Sequence, residues 1–230
     1  MNRNHIMNIK EYTESLYVFL KQHHNETIAS KQASYMRNKF IFIGLMRDEI
    51  KKLISEFEKI HGKISKKDSF LFCQYCTKYS EREMWYIGFK ALEGYKKYYV
   101  KEDLFVLRQW IEKSDWWDIV DIIASHHLGA LARISNEARD NIKNWVDEPN
   151  FWLKRCAILF QLKYKKDTDS EFLFYCCKEL AHEKEFFIRK AIGWALREYS
   201  KSNPNAVRAF IQENNSFLSP LSIKEGSKYL

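Results

Sequence analysis

Four side chains combine types that could do chemistry with a spacing that brings them together: Trp117, Asp121, Arg155 and Trp194. The spacing comes from three stretches that align without a gap, WIEKSDWWDIVDII from Trp110, WVDEPNFWLKRCAI from Trp145 and LAHEKEFFIRKAIG from Leu180, each 35 residues after the last. Each stretch carries an aromatic pair: Trp116-Trp117, Phe151-Trp152 and Phe186-Phe187. With the second aromatic of each pair set to zero, Trp117 stands at 0, Asp121 at +4, Arg155 at +3 and Trp194 at +7. At about 100° per residue these offsets span roughly 100°, one side of a helix. A carboxylate there can stabilise a developing positive charge and orient a water. A guanidinium can grip a phosphate and restrain the carboxylate. Indole faces attract a cationic group. A bland reading fits the same positions. Trp117 could be a core filler, since Trp152 and Phe187 share the zero position; so could Trp194, whose +7 position matches Ala124 and Leu159; and Asp121–Arg155 could be a structural ion pair.

Other candidates are weaker. His126-His127 has no Cys or Ser at a diagnostic spacing, so it does not read as a catalytic pair. Cys73 and Cys76 form a CxxC within the apolar run SFLFCQYCTKY, and no second pair stands at zinc-site spacing. They read as small core residues, and no metal site is expected. Basic residues cluster in two of the three repeats: Lys154, Arg155, Lys163, Lys165 and Lys166, then Arg189, Lys190, Arg197 and Lys201. Those on an inner face could hold phosphates, although each taken singly is as well explained by solvated surface. Near the N-terminus YMRNKF, with Tyr35 and Arg37, mixes aromatic and basic residues in a way that suits the rim of a DNA groove or a helix end.

The elements that must position these groups are helical. Gly and Pro number seven and three among 230 residues, about a third of the usual share, too few for the many tight turns of a sandwich or barrel. Hydrophobic residues at 46% support a core, and aromatics at 16% exclude a disordered chain. Apolar periodicity predicts helices over 7–23, 47–61, 67–78, 82–98, 102–113, 115–126, 136–147, 149–164, 168–181, 185–202, 204–214 and 220–229. Pro149 and Pro204 fall where a first-turn proline belongs. Short connections make sequential helices antiparallel neighbours, and the 35-residue period makes them stacked pairs. The expected fold is therefore all-α, an α-solenoid of HEAT/ARM-like pairs, curved around a concave basic groove, in a single domain over 1–230. A further copy is arguable at Met84-Trp85, 32 residues before the first.

A net charge of +8 favours an anionic partner. The first residues, MNRNHIMNIKEY, lack the apolar stretch of a signal peptide, and five cysteines without secretion signals read as reduced thiols. A cytoplasmic protein with no membrane segment is expected, and nothing suggests more than a monomer.

SDWWDIVD (Ser114 to Asp121), WLKRCAILFQLKYK (Trp152 to Lys165) and EFFIRKAIGWALREYSKSNP (Glu185 to Pro204) resemble the signature blocks of the AlkD family of alkylpurine DNA glycosylases. YMRNKFIFIG (Tyr35 to Gly44) is similar to that family's N-terminal block, and LSPLSIKEGSKYL (Leu218 to Leu230) to its C-terminal end. The likeness runs over essentially the whole chain, with the Asp121–Arg155 segment about one residue shorter near Ser135. It implies a curved stack of HEAT-like pairs that hydrolyses the N-glycosidic bond of cationic alkylated bases, chiefly N3-methyladenine and N7-methylguanine, in double-stranded DNA. No metal or organic cofactor is implied. The family's functional residues fall on Trp117, Asp121, Trp194 and Arg155, and its motif tyrosine on Tyr35. DNA contacts are expected from Tyr35, Arg37, Lys154, Arg189, Lys190 and Arg197. The resemblance also implies that the lesion is read through the backbone and stays stacked, unlike the base flipping of most glycosylases. Two other readings compete: a non-catalytic DNA-binding paralogue on the same scaffold, and a protein–protein scaffold without a DNA role.

Overall fold

A computed structural model describes residues 8–230, so residues 1–7, which include the start of the expected 7–23 helix, lie outside the described residues. Among those described, the chain is all-helical with no strand, and one isolated bridge pairs Ile41 with Glu81. No described helix is long and apolar enough to cross a membrane. Where the sequence offers no linker, the contacts nevertheless divide into two compact units that meet in the chain at Tyr98 and Tyr99.

The first unit holds α1 (Ile9–Lys21), α2 (Glu26–Tyr35), α3 (Arg47–His61), α4 (Ser69–Cys76) and α5 (Arg82–Leu92). Asn8 and Glu11 cap α1 reciprocally, each side chain taking the other's backbone N–H. The amphipathic faces of α1, α3, α4 and α5 close on one core that includes Leu16, Leu20, Phe57, Phe72 and Met84. Cys73 and Cys76 are wholly buried, and burial pushes both thiols well above their usual range, as the core reading requires. Helix α2 is absent from the expected set because Ala29 is its only buried residue, which leaves no apolar stripe for periodicity to detect. The expected helix over 82–98 stops at Leu92 and tightens into a 3₁₀ turn over Glu93–Lys97.

The segment after α2 is held from within. The buried carboxylate of Glu83 accepts the backbone N–H groups of Ile43, Gly44 and Leu45 at 3.0, 2.9 and 3.2 Å. Gly44 sits at φ +89°, and a Cβ there would lie 2.0 Å from the Asn25 carbonyl oxygen, so only glycine fits. Replacing Glu83 by Gln leaves one acceptor where three buried donors need partners. That variant is expected to lose about 2–3 kcal/mol of stability, with faster hydrogen exchange at the amides of residues 43–45 as the local readout.

The second unit runs through α6 (Asp103–Ser114), α7 (Trp117–Ile122), α8 (Gly129–Ile134), α9 (Asn136–Asn144), α10 (Phe151–Leu159), α11 (Ser170–Glu179), α12 (Phe186–Ser200), α13 (Pro204–Glu213) and α14 (Pro220–Gly226). Helices one 35-residue period apart are neighbours: α7 packs on α10, α10 on α12, and α12 on α14. Pro204 opens α13 behind the cap Asn203 as expected. Pro149 does not open α10. It lies in a bend ahead of Asn150, whose side chain caps the helix by accepting the Trp152 N–H. The expected helix over 115–126 also extends further. After α7 it passes through a π-helical turn over Ile123–Leu128 and continues as α8. Gly129, at the start of α8, serves packing: a Cβ there would lie 2.4 Å from the Phe160 carbonyl oxygen.

Candidate functional site

The beginnings of α7, α10 and α12 are joined by an aromatic cluster. Trp116 meets Trp152 and Phe187 edge-on, with centroids 6.3 and 5.4 Å away, and Trp152 lies 5.0 Å from Phe187. The Trp152 indole N–H donates to Asp115 at 2.9 Å, and Asp115 ends α6 in the left-handed region at φ +44°. Trp116, 6% exposed, thus takes the core place in its repeat, while Trp117 opens α7 and stays part-buried. The aromatic register is therefore displaced by one residue from the one read in sequence. Counted from the helix starts at Trp117, Phe151 and Phe186, Asp121 stands level with Arg155 and Lys190 rather than with Cys156 and Ala191.

That displacement sets Asp121 and Arg155 face to face across α7 and α10. The guanidinium grips the carboxylate at both ends, Nε to Oδ1 at 2.7 Å and Nη2 to Oδ2 at 2.9 Å. Its third direction is taken by the Phe187 carbonyl of α12, which accepts from Nη1. The side chains are 5% exposed for Arg155 and 13% for Asp121, so the pair is recessed yet reachable at the carboxylate. Burial raises the Asp121 pKa above its ordinary 3.8; Arg155 pulls it back, and the neighbouring Asp118 adds to the rise. The Ser125 hydroxyl donates to the Asp121 carbonyl at 2.7 Å from within the π-helical turn, which begins two residues after Asp121. Such turns recur at functional sites because they re-aim the residues beside them.

The two indoles follow from helix geometry. Trp117 lies one turn before Asp121 on α7, and Trp194 lies one turn after Lys190 on α12; both are part-buried. Four of the expected phosphate-binding cations, Lys154, Arg189, Lys190 and Arg197, are engaged by carboxylates or a carbonyl. Lys154 pairs with Glu183 at 2.5 Å, and Arg189 donates to the Glu183 carbonyl at 2.9 Å. Lys190 and Arg197 share Glu225. Tyr35, 74% exposed, ends α2 in the first unit, and Arg37 follows it in the left-handed region at φ +56°.

Sequence reasoning missed Glu183, Glu225, Asp118 and the Phe187 carbonyl. Glu225 had a signal, since it stands 35 residues after Lys190, one full period. The histidine pair has structural partners: His127 is wholly buried with its Nδ1 2.9 Å from the Tyr99 hydroxyl, and His126 lies against the Lys163 ammonium. Among the described residues no group of three His, Cys, Asp or Glu side chains is placed to hold a metal ion. A cavity of about 450 Å³ lies beyond the end of α10 and along the last turn of α12, around Leu162, Lys163, Tyr199 and Lys201, and includes neither Asp121 nor Arg155.

The fold of this chain has a counterpart among solved structures. A solved structure described as a predicted DNA alkylation repair enzyme from Enterococcus faecalis matches it at a TM-score of 0.79 and 30% identity, over 90% of this chain and 96% of that one. The chain belongs to the DNA alkylation repair enzyme family, whose model matches residues 19–230. None of the curated proteins compared matches it. The family assignment gives it an enzymatic role in DNA alkylation repair.

Proposed function

We propose that the protein is a monofunctional DNA glycosylase. It would excise N3- and N7-alkylated purines, N3-methyladenine and N7-methylguanine above all, from double-stranded DNA, acting as a cytoplasmic monomer. The observation that carries this reading is the two-point grip of Arg155 on a recessed, still reachable Asp121 carboxylate. A structural ion pair would serve as well fully buried; here the guanidinium is the more hidden partner and the carboxylate keeps an open side.

The chemistry such a site can do suits a cationic leaving group. An N3- or N7-alkylated purine already carries positive charge, so the C1′–N bond can break with its electron pair leaving on a neutral base. No general acid is needed. The sugar left behind is oxocarbenium-like, and the Asp121 carboxylate can stabilise it. The same carboxylate can accept a hydrogen bond from the water that adds to C1′ and take up its proton on the way to solvent. Trp117 and Trp194 would offer aromatic faces to the deoxyribose as positive charge develops. Arg155 would hold Asp121 in place and attract a phosphate beside the lesion. Read through the backbone in this way, the base can remain stacked. Tyr35, Arg37, Lys154, Arg189, Lys190 and Arg197 would supply further phosphate contacts.

The test is a panel of duplexes bearing one defined base each. Release of N7-methylguanine and N3-methyladenine, with no release of the neutral lesions uracil and hypoxanthine, is the expected pattern. Equal excision of the neutral lesions would require a leaving-group acid and would overturn the mechanism. The acid limb of the pH profile is a second check. Because the active form is the carboxylate and burial raises its pKa, excision should fall on acidification at a pH above the ordinary aspartate value of 3.8. A limb at or below that value would contradict the role of the buried carboxylate.

A further inference from the structure

The two cations that flank Trp194 on α12 already hold an anion. Lys190, Trp194 and Arg197 are four and three residues apart and share one face of the helix. Facing them from α14, Glu225 places one carboxylate oxygen on each cation: Oε1 lies 2.9 Å from Lys190 Nζ and Oε2 2.7 Å from Arg197 Nη1. The carboxylate is about a fifth exposed, so the site is open to solvent on one side. A phosphodiester presents the same feature, two non-bridging oxygens on one centre that can each take a charge-assisted hydrogen bond. Helix α14 makes its main packing on α12, which fixes Glu225 where it competes with any anion arriving at Trp194. Glycine serves that close packing: a Cβ on Gly193 would lie 2.5 Å from the Glu225 Cβ.

We infer that Lys190 and Arg197 form one phosphate subsite beside Trp194, and that Glu225 occupies it in the free protein as a stand-in for a DNA phosphodiester. The inference rests on the glycosylase reading for the identity of the ligand. Its consequence is selective. Undamaged duplex must displace Glu225 and binds with reduced apparent affinity, because only the fraction of molecules with the carboxylate swung aside is competent. The Lys190 hydrogen bond also holds the Glu225 carboxyl below its usual range, so the stand-in remains charged at neutral pH.

The experiment is binding of a short undamaged duplex to the wild-type chain and to Glu225→Gln across a salt series. Glu225→Gln should bind roughly tenfold tighter at low salt, with a log–log salt slope steeper by about one for the additional phosphate engaged. An exposed carboxylate removed elsewhere, Glu171→Gln, should change affinity less than about twofold, which separates a local effect from net charge. Adding Lys190→Gln and Arg197→Gln to Glu225→Gln should abolish the gain. If Glu225→Gln does not fold, Glu225→Asp, shorter by one methylene, should give an intermediate gain. Affinity unchanged by Glu225→Gln, or matched by Glu171→Gln, while the wild type binds duplex in a salt-dependent way, would overturn the inference and leave the glycosylase reading intact. A wild type with no salt-dependent DNA binding would overturn that reading itself.

Discussion

Asp121→Asn is expected to slow release of N7-methylguanine and N3-methyladenine by roughly 10²–10³-fold, the scale lost when one preorganised electrostatic group is removed from a transition state. The substitution is nearly isosteric and leaves an amide oxygen for Arg155, so the aromatic cluster of Trp116, Trp152 and Phe187 should persist. Affinity for the lesion duplex should then change little, because the phosphate contacts lie on other residues. A loss of activity with binding retained separates a catalytic carboxylate from a structural one. Single-turnover release with the lesion duplex saturated is the measurement, since it reads the chemical step without product release. A mutant within a few-fold of the wild type would remove Asp121 from the reaction.

Arg155→Met carries the second large effect, and it acts on stability as well as on rate. The guanidinium is the more buried member of a two-point ion pair and also donates to the Phe187 carbonyl. Removing it strands the Asp121 carboxylate in a sheltered place, which typically costs about 3–5 kcal/mol. For a chain of this length that lowers Tm by roughly 10 °C. The pH dependence gives the signature that a merely structural loss would lack. In the wild type, burial raises the Asp121 pKa while Arg155 restrains the rise. In the variant, burial and the Asp118 charge act unopposed, so the acid limb of the excision profile should move to higher pH. The sign for stability follows the same linkage. A carboxyl with a raised folded pKa favours the fold while protonated, below its ordinary value, and that contribution fades as pH rises through the raised one. Arg155→Met should therefore recover part of its lost stability on mild acidification, a trend that thermal melts over pH 4–8 would detect. An unmoved acid limb would show that the guanidinium does not govern Asp121.

Much of this site could be read from residues alone, and the misses have physical reasons. The helical class followed from scarce Gly and Pro, and the 35-residue period correctly paired helices that pack together in the second unit. Asp121 and Arg155 were placed on one side of their helices by spacing, and the structure joins them. The register was off by one because an aromatic pair does not say which ring is buried. Trp116 packs where Trp152 and Phe187 do, although it is the first of its pair and they are the second of theirs. Helix α2 left no periodic trace because it buries only Ala29. The π-helical turn at Ile123–Leu128 was illegible because its sequence, IASHHL, is that of ordinary helix, and only the packing around it favours the wider turn. The carboxylates of Glu183 and Glu225 were hidden for a different reason. A charge on an exposed helical face has many potential partners, and only tertiary structure selects Lys154 for one and Lys190 with Arg197 for the other.

The central claim is that Asp121, held by Arg155, drives excision of cationic alkylpurines. Its most direct test is to incubate purified wild type and Asp121→Asn with methylated duplex DNA and quantify the free N7-methylguanine and N3-methyladenine released. The account predicts release by the wild type and loss of at least about 10²-fold in the mutant, with both proteins binding the duplex equally. No release by either protein, with binding intact, would contradict it and make this face a DNA-binding surface without chemistry.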